Sequence, residues 1–301
     1  MKQVILYPGA KINIGLYVFE KREDGFHEIE SIFYPVGPDN SNLEPDKLSI
    51  SVCENESEET LFYTENYSEK VRMIECGLDY PGYPQDNICV KAYELLDADF
   101  QLPPAVIVLE KHIPVGAGLG GGSSDGVCTL KALNELCGLD LTPEQLTSYA
   151  EKLGSDCPFF IENEPRLVTG RGEILSILSD KALKAIAEIK EKYTVQIVFS
   201  PDCFVSTKKA YSIVPKRPRP QKFGASENKE QQNPYMPLEE LVAEPVGSWQ
   251  GRVVNDFEAP VFKEFPQLQK VKDSLKETGA AYVSMTGSGS AIFGLFKKNH
   301  H

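Results

Sequence analysis

The chain has 301 residues, 41% of them hydrophobic and 25% charged, and a formal net charge of −13. That length predicts two packed domains with a substantial core, and the composition excludes fibrous and wholly disordered classes. The acidic balance excludes a general nucleic-acid binder, which neutralises phosphates with clustered Lys and Arg, so a small phosphorylated ligand must be held by backbone N–H groups at a helix start or by one or two placed cations.

From the amino terminus, Val4 to Phe19 is interrupted by Pro8, Lys11 and Asn13. No signal peptide or membrane span is expected there. The segment instead predicts a strand, a turn at Pro8 and Gly9, and a second strand with Ile12, Ile14 and Leu16 on one face. Asp24 and Gly25 mark a turn. Glu28 to Val36 and Lys47 to Val52 read as extended, and the acidic stretch Glu54 to Glu59 as a solvated loop. Asn87 to Leu96 has helical spacing and is stopped by Pro103 and Pro104. Ala105 to Glu110, rich in Val and Ile, predicts a strand that feeds a glycine-rich stretch. A helix from Ser123 carries Val127, Leu130, Leu133 and Leu136 and stops at Gly138. Thr142 and Pro143 open another helix as N-cap and first helical residue, ending near Gly154.

Beyond Pro165 the pattern predicts a polar helix over Asp180 to Lys192 and a strand over Val195 to Phe199. Pro215 to Pro237 is polar and proline-rich and reads as a mobile insertion. A helix over Phe265 to Glu277, a strand over Ala281 to Met285, a small-residue turn over Thr286 to Ser290 and a strand over Ala291 to Phe296 follow. There are no internal repeats. Seven cysteines, odd in number and without a CxxC pair, fit reduced thiols in a cytoplasmic protein rather than a disulfide framework or zinc site. His300 and His301, a tag remnant or the native tail, are expected to carry no site role.

The glycine-rich stretch is Pro114-Val115-Gly116-Ala117-Gly118-Leu119-Gly120-Gly121-Gly122-Ser123-Ser124-Asp125. It contains GxGxxG, but the acidic residue about 20 positions on, Glu135, falls inside the helix instead of at a strand end, so the dinucleotide fingerprint fails. No GK[ST] follows, and VAIK, HRD and DFG elements are absent. Its physics is nonetheless that of a phosphate cradle: glycines admit positive φ and close backbone approach, and two serines open a helix whose N-terminus is partially positive. A side chain added at Gly120 or Gly121 is expected to block the phosphate and leave the fold intact.

The stretch PVGAGLGGGSSDG resembles motif 2 of the GHMP kinases, with Gly126 where alanine is commoner. Pro8 to Asn13 resembles motif 1 and Thr286 to Ala291 resembles motif 3, in the right order along nearly the whole chain. From Ala10 to Phe33 the sequence AKINIGLYVFEKREDGFHEIESIF is similar to the 4-diphosphocytidyl-2-C-methyl-D-erythritol kinases, in which AKIN is followed by a DGYHE-like turn. This resemblance implies an α+β fold of two domains, 1–163 and 164–301, with ATP bound by Pro114 to Ser124 and the active site in the cleft between the domains. It implies transfer of the γ-phosphoryl of ATP, with Mg2+ on ligands the sequence does not identify, to the 2-hydroxyl of a cytidine diphosphate conjugate of methylerythritol. Lys11 and Asp156, the latter in Gly154-Ser155-Asp156-Cys157-Pro158, are the implied catalytic pair, their division of labour left open. Asn13, Phe26, His27 and Phe204 are the implied substrate contacts, the two phenylalanines stacking on cytosine.

Taken singly, each residue has a plainer role. Lys11 reads as a solvated charge, Asp156 as a turn or capping residue, His27 as an ordinary polar side chain, and Phe204 as core. The competing functions are another GHMP kinase, acting on mevalonate, phosphomevalonate or homoserine, and a non-catalytic binding protein of the same fold. No nucleic-acid or membrane partner is expected.

Overall fold

The computed structural model describes residues 1–55, 57–59, 70–78, 84–200, 202–218 and 235–298. Most of the Pro215 to Pro237 insertion, and His300 with His301, lie outside these residues. The chain forms two compact units: residues 1–10, 44–115 and 120–163 make the first, and residues 11–43, 116–119 and the chain from Glu164 onward make the second.

In the first unit, β1 (Lys2–Leu6), β4 (Lys47–Val52), β6 (Ala105–Lys111) and β5 (Val71–Gly77) form a sheet in that order. β1 pairs with β4 and β4 with β6 antiparallel, whereas β5 runs parallel to β6. β6 alternates buried and half-buried residues along its length, the period of a strand with unequal faces. Helix α1 (Ile88–Phe100) begins where the Asn87 side chain accepts the N–H of Cys89, and ends at Gln101 in the left-handed region, ahead of the two prolines. Helix α2 (Gly121–Leu136) packs on α1. Helix α3 (Pro143–Leu153) has the expected Thr142 cap, completed into a capping box by Gln145. The short α4 (Phe159–Glu162) closes the unit. β5 escapes sequence reading because Val71 to Gly77 shows no alternation; its residues are half-buried or exposed, and its pairing with β6 defines it.

The second unit holds a sheet of β2 (Ala10–Lys21), β3 (His27–Val36), β7 (Arg166–Thr169) and β8 (Ile174–Ser176), and a sheet ordered β10 (Tyr282–Met285), β11 (Ile292–Lys297) and β9 (Tyr193–Val198). Its helices are α5 (Asp180–Lys192), α6 (Thr207–Ile213), α7 (Leu238–Val242), α8 (Glu258–Glu264) and α9 (Pro266–Glu277). Leu16 and Val18 of β2 enter a core with Phe257, Val261, Leu268, Val283, Met285 and Ile292. The division is interleaved rather than the single cut after residue 163 that the sequence suggests. Strand pairing is the reason, since Ser31, Ile32 and Phe33 of β3 form a ladder with Val168, Leu167 and Arg166 of β7. Among the described residues no helix is long and apolar enough to cross a membrane.

Candidate active site

In the second unit, motifs 1, 2 and 3 meet at Lys11. This lysine is only 3% exposed, so it is not the solvated charge its isolated sequence position suggests. Its backbone N–H donates to Leu119 O at 2.8 Å. Its Nζ donates to Asn13 Oδ1 at 2.8 Å and to Gly118 O at 3.1 Å, and lies 4.5 Å from the centroid of the Phe33 ring, a cation–π distance. Asn13, expected as a substrate contact, is fully buried. Its Oδ1 also accepts Gly287 N at 2.9 Å and lies 3.1 Å from Thr286 Oγ1, and its Nδ2 donates to Ser31 Oγ at 2.8 Å. The geometry thus gives Asn13 the work of holding Lys11 against motif 3. Asn255, which the sequence does not single out, shapes motif 3 from behind by donating Nδ2 to Met285 O and Gly287 O, each at 2.8 Å.

The glycine-rich stretch is divided between the units. Gly116 and Gly118, on the second, have φ of +73° and +81°, where L side chains are strained. Gly120 stands in the left-handed region as N-cap of α2 in the first. Gly121 and Gly122 then begin the helix, and the two differ. A Cβ on Gly121 would come within 2.8 Å of Ile113 Cγ2, whereas one on Gly122 would meet nothing within 4 Å. Bulk at Gly121 therefore disturbs packing beneath the loop, contrary to the expectation of an intact fold, and Gly122 is the open position.

Asp156 occupies the partly exposed turn between α3 and α4. The neighbouring Cys157 thiol, pushed up to about 11 by burial, lies next to the Ser123 side chain. This contact sets the Asp156 turn beside the first turn of the cradle helix within the first unit. Lys11 belongs to the second unit and Asp156 to the first.

The β2–β3 turn carries Phe26 and His27. Phe26 is 54% exposed, with the Arg171 guanidinium 4.8 Å from its ring centroid. Phe204 is 67% exposed rather than core, and its Cε2 lies 3.1 Å from where a Cβ on Gly116 would sit. His27 is buried, stacks on Tyr211 with centroids 5.7 Å apart, and places Nδ1 2.8 Å from Phe19 O. A carbonyl only accepts, so the neutral ring carries its proton on Nδ1 and presents Nε2 as an acceptor. The strand supplying that carbonyl is itself fixed. Arg217 bonds Val18 O and Glu20 N through its backbone at 2.8 and 3.0 Å, and its guanidinium grips Asp256 with two bonds of 2.7 Å. Arg171, Tyr211, Arg217 and Asp256 lie far from the turn in sequence and carry no local signal.

Comparison with known proteins bears on the family and the fold. The model described as GHMP kinases N terminal domain matches residues 87–163, and that described as GHMP kinases C terminal matches residues 238–301. The 4-diphosphocytidyl-2-C-methyl-D-erythritol kinase of Bacteroides fragilis is 41% identical over 296 residues, covering 97% of this chain and 92% of that protein. The kinase of the same name from Cytophaga hutchinsonii is 36% identical, again over 97% of this chain and 92% of its own length. A crystal structure of 4-(cytidine 5'-diphospho)-2C-methyl-D-erythritol kinase superposes with a TM-score of 0.69 at 30% identity, over 97% of this chain and 90% of that one. The mevalonate kinase of Methanococcus jannaschii, at 11% identity and a TM-score of 0.58 over 98% of this chain and 90% of its own, shares the fold.

Proposed function

The chain belongs to the 4-diphosphocytidyl-2-C-methyl-D-erythritol kinases of the GHMP superfamily, and from that membership we propose how its residues divide the reaction. It is an ATP-dependent small-molecule kinase that phosphorylates the 2-hydroxyl of 4-diphosphocytidyl-2-C-methyl-D-erythritol, a step of non-mevalonate isoprenoid synthesis. The acceptor is a tertiary alcohol, a poor nucleophile until its proton has somewhere to go. Asp156 takes that proton as the oxygen bonds to the γ-phosphorus and the bond to the departing ADP breaks. Lys11, held by neutral oxygens of Asn13 and Gly118, sets an ammonium toward the charge that develops on the transferred group. The backbone N–H groups at the start of α2 receive the other phosphates.

The residues present fit a magnesium ion that travels with the nucleotide rather than one held in a protein cage. Among the described residues no group of three or more His, Cys, Asp or Glu side chains could hold a metal, and Mg2+ on phosphates needs only one or two protein oxygens. Bound with the nucleotide, the ion would supply charge neutralisation on the phosphate oxygens. We place the enzyme in the cytoplasm, consistent with its seven free cysteines.

The observation that carries the cytidine assignment is the bond from His27 Nδ1 to Phe19 O. It leaves Nε2 an acceptor, which suits the amino group at C4 of cytosine and opposes the carbonyl of uracil at that position. Phe26 and Phe204 supply exposed faces for the base. Steady-state kinetics with cytidine and uridine forms of the substrate test this. A preference for cytidine on the order of a hundred-fold or more is expected where a buried acceptor must be satisfied. Equal kcat/KM for the two overturns it.

A further inference from the structure

In the first unit, just ahead of the glycine-rich loop, three charged side chains are closed off from solvent. Lys111, the last residue of β6, has a side chain 2% exposed, and those of Asp46 and Asp125 are 0% and 2% exposed. Lys111 Nζ donates to Asp46 Oδ2 and, at 2.7 Å, to Asp125 Oδ2. Asp46 Oδ1 accepts the backbone N–H of His112 at 2.6 Å and of Ile113 at 2.9 Å, the two residues that carry the chain out of β6. The N–H of Asp46 in turn donates to Pro8 O at 3.1 Å. Asp125 stands near the start of α2, and its Oδ1 is buried without a hydrogen-bond partner. The two ends so joined are in close contact elsewhere too, since a Cβ on Gly121 would lie 2.8 Å from Ile113 Cγ2 and 3.6 Å from Asp46 Oδ2.

Removing an ammonium, a carboxylate and a second carboxyl group from water is costly, and an apolar cluster of equal volume would commonly be as stable. A fold has little need of such a cluster for stability alone. Its geometric effect is specific, because charge-assisted bonds of fixed direction tie the exit of a strand to the start of a helix. We propose that Asp46 and Asp125, joined through Lys111, are positioning residues for ATP, aiming the first N–H groups of α2 at the phosphates. The inference rests on residues 114–124 being the ATP cradle. None of the three side chains needs to touch the nucleotide.

The two carboxylates are not equivalent. Asp46 uses both oxygens as acceptors, so an amide there turns an N–H toward Lys111 or toward the two backbone donors. Asp125 uses one oxygen, and burial pushes its carboxyl up to about 8, so a neutral amide can bond Lys111 as the acid does.

The test is steady-state kinetics on the full chain, varying ATP and the alcohol substrate separately. Asp46→Asn should raise the KM for ATP by about ten-fold or more, with the KM for the alcohol substrate within about two-fold of wild type. Asp125→Ala should show the same split, and Asp125→Asn should recover most of what the alanine loses. An Asp46→Asn protein with native near-ultraviolet circular dichroism and an unchanged ATP KM overturns the proposal, as does a parallel rise in both KM values. Should Asp46→Asn not fold, the alanine and asparagine variants at Asp125 decide: equal ATP KM in the two refutes a positioning role. Failure of wild type to protect Gly118 to Ser124 amides from hydrogen exchange on adding ATP would instead strike the cradle reading.

Discussion

Gly118 and Gly287 touch backbone to backbone. A Cβ on Gly118 would stand 2.2 Å from Thr286 O, and one on Gly287 would stand 2.9 Å from Gly118 Cα. Both glycines have positive φ, so the contact between motifs 2 and 3 needs a bare backbone from each. Gly118→Ala is expected to cost about 3 kcal/mol through strain and displaced backbone and to lower kcat/KM with it. Gly122→Ala has open space and should stabilise the helix by about 0.5–1 kcal/mol. Thermal melts of the two variants check the contrast; similar melting temperatures would refute it.

Asp156→Asn keeps the shape of the side chain and removes the base. Turnover is expected to fall by about a hundred-fold or more with substrate binding preserved. Single-turnover phosphoryl transfer is the measurement, and near-normal rates would remove Asp156 from the chemistry.

Lys11 needs a different design, because Lys11→Ala takes one donor each from Asn13 Oδ1 and Gly118 O and also opens a gap over Phe33. Lys11→Met lacks the charge and the N–H donors but retains most of the volume over Phe33. Turnover should fall by at least about a hundred-fold in the methionine variant, with a smaller loss of melting temperature than in the alanine variant. Equal turnover in wild type and Lys11→Met contradicts the assignment.

Phe26 and His27 should separate affinity from identity. Phe26→Ala removes a π face and should weaken cytidine and uridine forms alike, by about 1–3 kcal/mol. His27→Ala removes the acceptor at Nε2 and should chiefly erode the preference for cytidine. Competition binding with the two nucleotides resolves this; a Phe26→Ala variant that erodes the cytidine preference, beside a His27→Ala variant that weakens both forms alike, reverses the roles.

Asp125 predicts a pH dependence of stability. Burial raises its carboxyl from 3.8 to about 8 in the fold, so the folded chain holds a proton that the unfolded chain releases. The stabilisation from that proton is complete below about pH 4 and is lost as pH rises through about 8. Denaturant midpoints of wild type and Asp125→Asn, measured between about pH 5 and 8, should diverge, wild type losing stability relative to the variant. Parallel curves count against a protonated Asp125.

Elements whose own residues determine them were legible in the sequence: the capped α3, the Val- and Ile-rich β6, and the β2–β3 turn with its glycine of positive φ. The three motifs also pointed to residues that the fold brings together around Lys11. What escaped depends on partners distant in the chain. β5 is a strand because β6 offers it a ladder, Asn13 is buried because Thr286 and Gly287 close over it, and the Asp46–Lys111 pair has no spacing that sets it apart from surface charges. Phe204 was ambiguous for the same reason, its exposure being decided by neighbours far away in sequence.

The interleaving of the chain sets an order of events during synthesis. β2 and β3 leave the ribosome early, but the ladder that joins Ser31 to Val168 cannot form until a stretch of over a hundred residues has followed. At about 5–20 residues per second that delay is on the order of ten seconds. Through it, the free edge of β3 and the apolar side chains of Ile29, Ile32 and Phe33 are open to other nascent chains. A fragment beginning at Glu164 would lack both strands and would leave β7 with β8 alone. Recombinant yield should therefore depend on translation speed and chaperone supply more than on the stability of the finished enzyme.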